Sequence, residues 1–175
     1  MAILPILEVP DPRLRRKALP VAEVDAGIRT LIADMFETMY AAPGIGLAAV
    51  QVGSLARVFV MDLQTEGEDG VAVRNPRAFV NPEVLWASDE LSTYNEGCLS
   101  IPDQYAEVER PARVRARWLD ADGVSHEAEL EGLPATCLQH EIDHLDGVLF
   151  VDRLTRLKRD ILLRKLAKAS KDKGK

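Results

Sequence analysis

The segment His140-Glu141-Ile142-Asp143-His144 constrains this chain more than any other. On a helix, residues i and i+4 share one face, one turn apart, so both imidazoles can grip the same ion. Glu141 sits at the edge of that face, within reach of a water on the ion. Two ligands and a general base spaced this way are the elements of metal-assisted hydrolysis. The chain must therefore fold around this helix and bring a third ligand to it.

The rest of the sequence predicts what surrounds the helix. Asp25 reads as an N-cap, and Ile28, Leu31, Ile32, Met35, Phe36 and Met39 follow at helical spacing up to Pro43-Gly44. Short strands are expected over 55–62, 77–80 and 84–87, with turns at Asn75-Pro76 and Asn81-Pro82. Residues 112–120 alternate Val114, Ala116 and Trp118 with Arg113, Arg115 and Arg117, the pattern of a half-buried strand. Asp122-Gly123 should turn it back into a strand over 125–131. Pro134 suits the first turn of the motif helix, which should end near Gly147. A last helix is expected over 155–168, with Leu157, Ile161, Leu162 and Leu166 on one stripe. The fold class is α+β: mostly antiparallel sheets wrapped around a central H-E-x-x-H helix, with a C-terminal helix. No repeat or linker divides the chain, so residues 1–175 are expected to be one catalytic domain.

Composition narrows the function classes. A chain of 175 residues that is 47% apolar can bury a sizeable core. Its net charge of −6 argues against general nucleic-acid or DNA binding. The charge is uneven: 153–175 holds ten Lys/Arg and two Asp/Glu, a net +8, leaving −14 on the remainder. No apolar run nears the ~20 residues of a membrane span, and the first twelve residues are too interrupted for a signal peptide. A cytoplasmic protein with reduced thiols is the expectation, so Cys98 and Cys137 read as ligands or buried thiols rather than a disulfide.

Neither glutamate nor histidine follows the motif, and Asp146, Asp152, Asp160 and Asp172 are the only carboxylates downstream of it. Cys98, in Glu96-Gly97-Cys98-Leu99-Ser100, is either the third ligand or a small buried hydrophobe. Cys137 lies three residues before His140 and offers a closed Cys₂His₂ site instead. Closed sites are structural, whereas catalytic ones keep an open position. A closed site leaves Glu141 without a role, so three ligands with Cys137 in a pocket wall are the favoured expectation. The segment Gly44-Ile45-Gly46-Leu47-Ala48-Ala49-Val50-Gln51 is small enough for a peptide backbone to approach. Gln51 adds an amide N–H for a developing oxyanion.

Together these three segments resemble peptide deformylase, whose motifs are G-x-G-L-A-A-x-Q, E-G-C-L-S and Q-H-E-x-D-H-L. Every motif position matches, and the likeness spans nearly the whole chain. Tyr105 stands where many members have Arg. The resemblance implies removal of the N-formyl group from the initiator methionine of nascent chains. It implies Cys98, His140 and His144 as ligands of one divalent ion, typically Fe²⁺, with Zn²⁺, Ni²⁺ or Co²⁺ as alternatives. It implies Glu141 as the proton carrier, with Gln51 and the Leu99 backbone N–H at the oxyanion. Gly46 is expected to pair with the substrate main chain. Ile45, Tyr94, Leu133 and Cys137 should line a methionine-sized pocket. Glu96 is expected at the pocket too, ion-paired to an arginine such as Arg110. The basic tail at 153–175 is read either as a solvated helix face or as a dock on the ribosome near the exit tunnel.

Overall fold

The structure, a computed structural model, describes residues 1–174. Helix α1 spans Ala26–Ala41, and the Asp25 side chain caps it by accepting the Ile28 N–H at 2.9 Å. A five-stranded antiparallel sheet follows, in the order β1-β2-β5-β8-β9. Its strands are β1 (Gly46–Ala48), β2 (Val58–Met61), β5 (Arg77–Ala87), β8 (Arg113–Leu119) and β9 (Ser125–Glu131). Between β2 and β5 lies a small hairpin of β3 (Thr65–Glu66) and β4 (Ala72–Val73). Strands β6 (Leu91–Cys98) and β7 (Ile101–Pro111) form a long hairpin of their own. Helix α2 is Gly132–Leu145 and helix α3 is Arg156–Lys173.

Strand β2 shows how the layers assemble. All four of its residues are buried, because alternate side chains serve opposite faces. Val58 and Val60 pack with Ile32, Met35 and Met39 of α1. Phe59 and Met61 face the other way, toward Leu138 and Leu145 of α2. On that face the Phe59 and Phe79 rings stack at 4.4 Å, with Trp118 4.8 Å further on. A third cluster joins Ile101 and Val108 of β7 to Phe150, Leu162 and Leu166. Nine of the fourteen α2 residues are buried, since sheet lies on one side of α2 and the β6–β7 hairpin on another. The expected α+β class and the central position of the motif helix are both present.

Strand β8 turns Val114, Ala116 and Trp118 inward as its alternation predicts. Its outward arginines meet glutamates in register on β9: Arg113 opposite Glu131, Arg115 opposite Glu129, Arg117 opposite Glu127. The basic row is thus matched across the strands rather than left as an anionic-partner surface.

Three expectations need correction. The turn expected at Asn81-Pro82 does not break the chain into two strands. β5 runs through it with an irregular register, because Asn81 takes φ +50 and its side chain bonds both the N–H and the carbonyl of Val21. Helix α3 extends five residues past the expected 168, and its buried stripe is Leu162 and Leu166; Leu157 and Ile161 are exposed. The β6–β7 hairpin was not expected at all. The tail expected over 153–175 is helical from Arg156 to Lys173, and Lys175 lies outside the described residues.

Candidate active site

Two elements converge. Helix α2 presents His140, Glu141 and His144, and the tip of the β6–β7 hairpin presents Cys98. The hairpin turn is only Leu99-Ser100, with Cys98 paired to Ile101 and a register shift just before it. The Val9 N–H bonds the Ser100 carbonyl at 2.9 Å, pinning this turn to the N-terminal arm. Cys98 Sγ lies 3.2 Å from His144 Nε2, and the two Nε2 atoms of His140 and His144 are also 3.2 Å apart.

Two ring nitrogens and a sulfur aimed at one another crowd three electron-pair donors into a single spot. These three ligand atoms all lie within 4.8 Å of one another, and no other such group occurs among the described residues. The soft sulfur and two imidazoles suit a first-row transition ion better than Mg²⁺ or Ca²⁺. Cys137 is not part of the group. It is buried in the cavity wall, and burial pushes its thiol well above the usual range.

Gln51 follows β1 in a 3₁₀ turn, Ala49–Val52, and is 1% exposed. Its Oε1 accepts the Ala48 N–H at 2.9 Å, so its NH₂ must point the other way. That NH₂ donates to Ser100 Oγ at 3.0 Å and lies 3.5 Å from Cys98 Sγ. Glu141 is 4% exposed, its Oε1 4.0 Å from His140 Nε2, and its Oε2 has no partner. Burial raises its carboxyl to about 7, against the opposing charges of His140 and Arg110. An unpartnered, buried carboxylate oxygen beside two ligands is costly unless it has chemistry to perform.

Gly46 explains the closeness of these groups. A Cβ there would stand 2.6 Å from Glu141 Oε1 and 3.1 Å from Cys137 Sγ. The smallness read in this segment is thus demanded first by α2 packing on β1.

A cavity of about 700 Å³ opens over the site. Ile45, Gly46, Tyr94, Glu96, Leu99, Leu133 and Cys137 all line it, as do Gln51, Cys98, His140, Glu141 and Tyr105. His144 lies behind the lining, 1% exposed. Glu96 is differently engaged from a substrate contact. Its two oxygens are held by Arg110 at 2.7 and 2.9 Å, and Oε1 lies 2.9 Å from His140 Nδ1. Burial pushes its carboxyl up, and the bonds from Arg110 and His140 more than offset this, leaving it below the ordinary value. Such a partner fixes the ring orientation of a ligating histidine.

Sequence reasoning missed the parts played by Asp143 of α2 and by Phe150 and Arg153, which pack against His140 and bind Asp143 respectively. In the sequence Asp143 reads only as a position of the Q-H-E-x-D-H-L motif with no role given to it, Phe150 lies between the motif helix and the tail in a stretch with no reading of its own, and Arg153 reads only as the start of the basic tail.

An α+β scaffold that buries a Cys-His-His ligand set beside a free glutamate defines a metallohydrolase type of centre. The sequence pattern of the polypeptide deformylase family matches residues 3–160. The chain belongs to that family. It is 64% identical over 170 residues to the peptide deformylase of Rhizorhabdus wittichii, covering 97% of this chain and 96% of that one. It is 60% identical to that of Zymomonas mobilis, covering 98% and 97%. Among solved structures, the Legionella pneumophila peptide deformylase superposes with a TM-score of 0.89 at 44% identity, covering 99% of each chain. The Ehrlichia chaffeensis peptide deformylase in complex with actinonin does so with 0.89 at 42%, covering 97% and 98%.

Proposed function

We propose that this chain removes the N-formyl group from the N-terminal methionine of newly synthesised polypeptides, releasing formate. One observation carries the reading: Cys98, His140 and His144 converge beside the unpartnered Glu141 Oε2 and the inward-turned Gln51 amide, at the base of a cavity.

A divalent ion held by Cys98, His140 and His144 would supply Lewis acidity and ease deprotonation of the attacking water. Glu141 takes the proton of that water through Oε2 and returns it to the leaving amine. The C–O bond to the formyl carbon forms as the carbonyl π pair moves onto its oxygen, and the C–N bond breaks as that pair restores the C=O of formate and the amine nitrogen takes the proton. Charge developing on the carbonyl oxygen meets the Gln51 N–H and the Leu99 backbone N–H. Strand β1 is the outer strand of its sheet and β6 belongs to a two-stranded one, so each leaves a backbone edge unpaired beside the cavity. A peptide main chain can add to such edges, with Gly46 on one side. The methionine side chain then enters among Ile45, Tyr94, Leu133 and Cys137.

Fe²⁺ is the proposed ion, with Zn²⁺, Ni²⁺ or Co²⁺ able to replace it, because a thiolate and two imidazoles accept all four. The proposed location is the cytoplasm, where nascent chains are met; no helix among the described residues is long and apolar enough to cross a membrane. Residues 1–174 share three clusters of one continuous fold, in keeping with one catalytic domain.

The test is formate release from a formyl-methionyl peptide by anaerobically purified, metal-analysed protein. Glu141→Ala should keep its metal and lose roughly 10²–10⁴-fold in turnover. Unchanged turnover in the metal-replete variant removes Glu141 from the mechanism.

The outward face of α3 is basic and is proposed to dock on ribosomal RNA. Neutralising Arg164, Lys165, Lys168 and Lys171 to Gln leaves the buried Leu162 and Leu166 in place. It should abolish low-salt co-sedimentation with ribosomes, and retained co-sedimentation refutes the dock.

A further inference from the structure

The turn between α2 and α3 reaches the ligands by two routes. Phe150 lays its ring against that of His140, with centroids 6.2 Å apart and planes at 25°. Three residues on, Arg153 grips Asp143 with a fork: Nε donates to Oδ2 and Nη2 to Oδ1, both at 2.7 Å. Asp143 Oδ2 also accepts from Arg110 Nη1 at 2.8 Å. Arg110 in turn holds both oxygens of Glu96, and Glu96 meets His140 Nδ1. The charges along this line alternate: Arg153, Asp143, Arg110, Glu96.

The alternation matters because the inner members are out of water. The side chain of Arg110 is 3% exposed and that of Glu96 is 5% exposed, whereas Arg153 is at 45%. Arg110 is one cation between two carboxylates. With Asp143 neutralised from its far side by Arg153, the Arg110 fork can stay bidentate on Glu96. Without Arg153, Asp143 would compete for Arg110 as a buried carboxylate lacking its own cation. Glu96 would then lose the rigidity with which it sets the His140 ring.

We propose that Arg153 is a positioning residue for His140, acting through Asp143, Arg110 and Glu96 to keep His140 Nε2 aimed at Cys98 and His144. It touches neither a ligand nor the cavity. The proposal rests on the reading of Cys98, His140 and His144 as the ligand set.

The test loads the full-length protein with Co²⁺, records its visible ligand-field spectrum, and follows Co²⁺ release into excess EDTA. Arg153→Gln should release Co²⁺ roughly 10–100-fold faster than wild type, the scale of losing a ligand's outer support, and should alter the spectrum. Arg153→Lys restores the charge without the fork and should fall between the two. Leu166→Ala weakens the packing of α3 without touching the charged line, and should lower the melting temperature while leaving release unchanged. Wild-type release from both Arg153 variants overturns the proposal, as does equal acceleration by Leu166→Ala. A Cys98→Ser protein with the wild-type Co²⁺ spectrum would instead remove the ligand set itself, and the proposal with it.

Discussion

Adding one methyl group at Gly46 tests whether the spacing between β1 and α2 sets the reach of Glu141. The Cβ of Gly46→Ala would lie 2.6 Å from Glu141 Oε1 and 3.0 Å from its Cδ. Ordinary contact begins near 3.4 Å, so something must yield by about 0.8 Å. Gly46 is not among the positive-φ glycines, so alanine meets no backbone penalty and the contact alone is tested. Glu141 cannot retreat into solvent, being 4% exposed. Either its carboxylate swings or α2 lifts from β1, and both displace Oε2 from where it would take a proton. A misplacement approaching 1 Å costs on the order of 10²-fold in rate. Overpacking should also cost about 1–3 kcal/mol of stability. The assay is kcat for formate release at saturating substrate, with metal content measured alongside. Metal should be retained, because the atoms nearest the new methyl belong to Glu141 and Cys137 rather than to Cys98, His140 or His144. A double-mutant cycle sharpens the test: in a Glu141→Ala background the Gly46→Ala change should add little, since its target is gone. A metal-replete Gly46→Ala protein with wild-type kcat, or strict additivity of the two losses, would refute the reasoning.

Tyr40 donates to Asp62 Oδ2 at 2.5 Å, and burial, then this bond, pushes its phenol up to about 12. A raised folded value means a contribution fully present below the unfolded phenol value of about 10 and lost as pH rises through about 12. Ultraviolet titration should show a phenolate step near pH 12 that disappears in Tyr40→Phe; an unchanged titration curve contradicts it. Gly147 takes φ +76, and a Cβ there would meet the Arg15 carbonyl oxygen at 2.5 Å. Strain and backbone collision together predict a loss of about 2–5 kcal/mol in Gly147→Ala. For a chain of this size that is a fall on the order of 10 °C in Tm, and an unchanged Tm would show that the N-terminal arm moves freely there.

What could be read in the sequence was what is encoded locally. The capping aspartate and apolar stripe of α1, the alternation of β8, the Asp122-Gly123 turn and the i, i+4 histidines each need only a few neighbouring residues to declare themselves. The β6–β7 hairpin does not obey that logic. Its inward positions include Glu96 and Arg110, which look like solvent-facing residues until the fold pairs them. Pro102 and Pro111 further mask it as loop. The same reasoning explains Asn81, where a turn signal is spent on side-chain bonds to Val21 while the strand continues. The cavity residues were reachable through the three short motifs and their resemblance. Arg153 was not, because its partner Asp143 sits ten residues away and both look like ordinary surface charges.

The charged line also accounts for how two remote segments meet. Cys98 precedes His140 by 42 residues and arrives on a different element. Each buried charge stands close to a ligand in sequence: Glu96 two residues before Cys98, Asp143 one before His144. Arg110, paired with Ser92 across the hairpin and four residues along β7 from Ala106, the partner of Glu96, binds both. Buried ion pairs contribute little net stability, because desolvation offsets most of their attraction. Their geometric demand is strong, since a fork accepts a carboxylate in few orientations. The hairpin and α2 are therefore registered by Arg110 rather than by the ion their side chains would share. A site registered this way holds its donor atoms together in advance, and the ordering cost that an ion would otherwise bear falls on the fold.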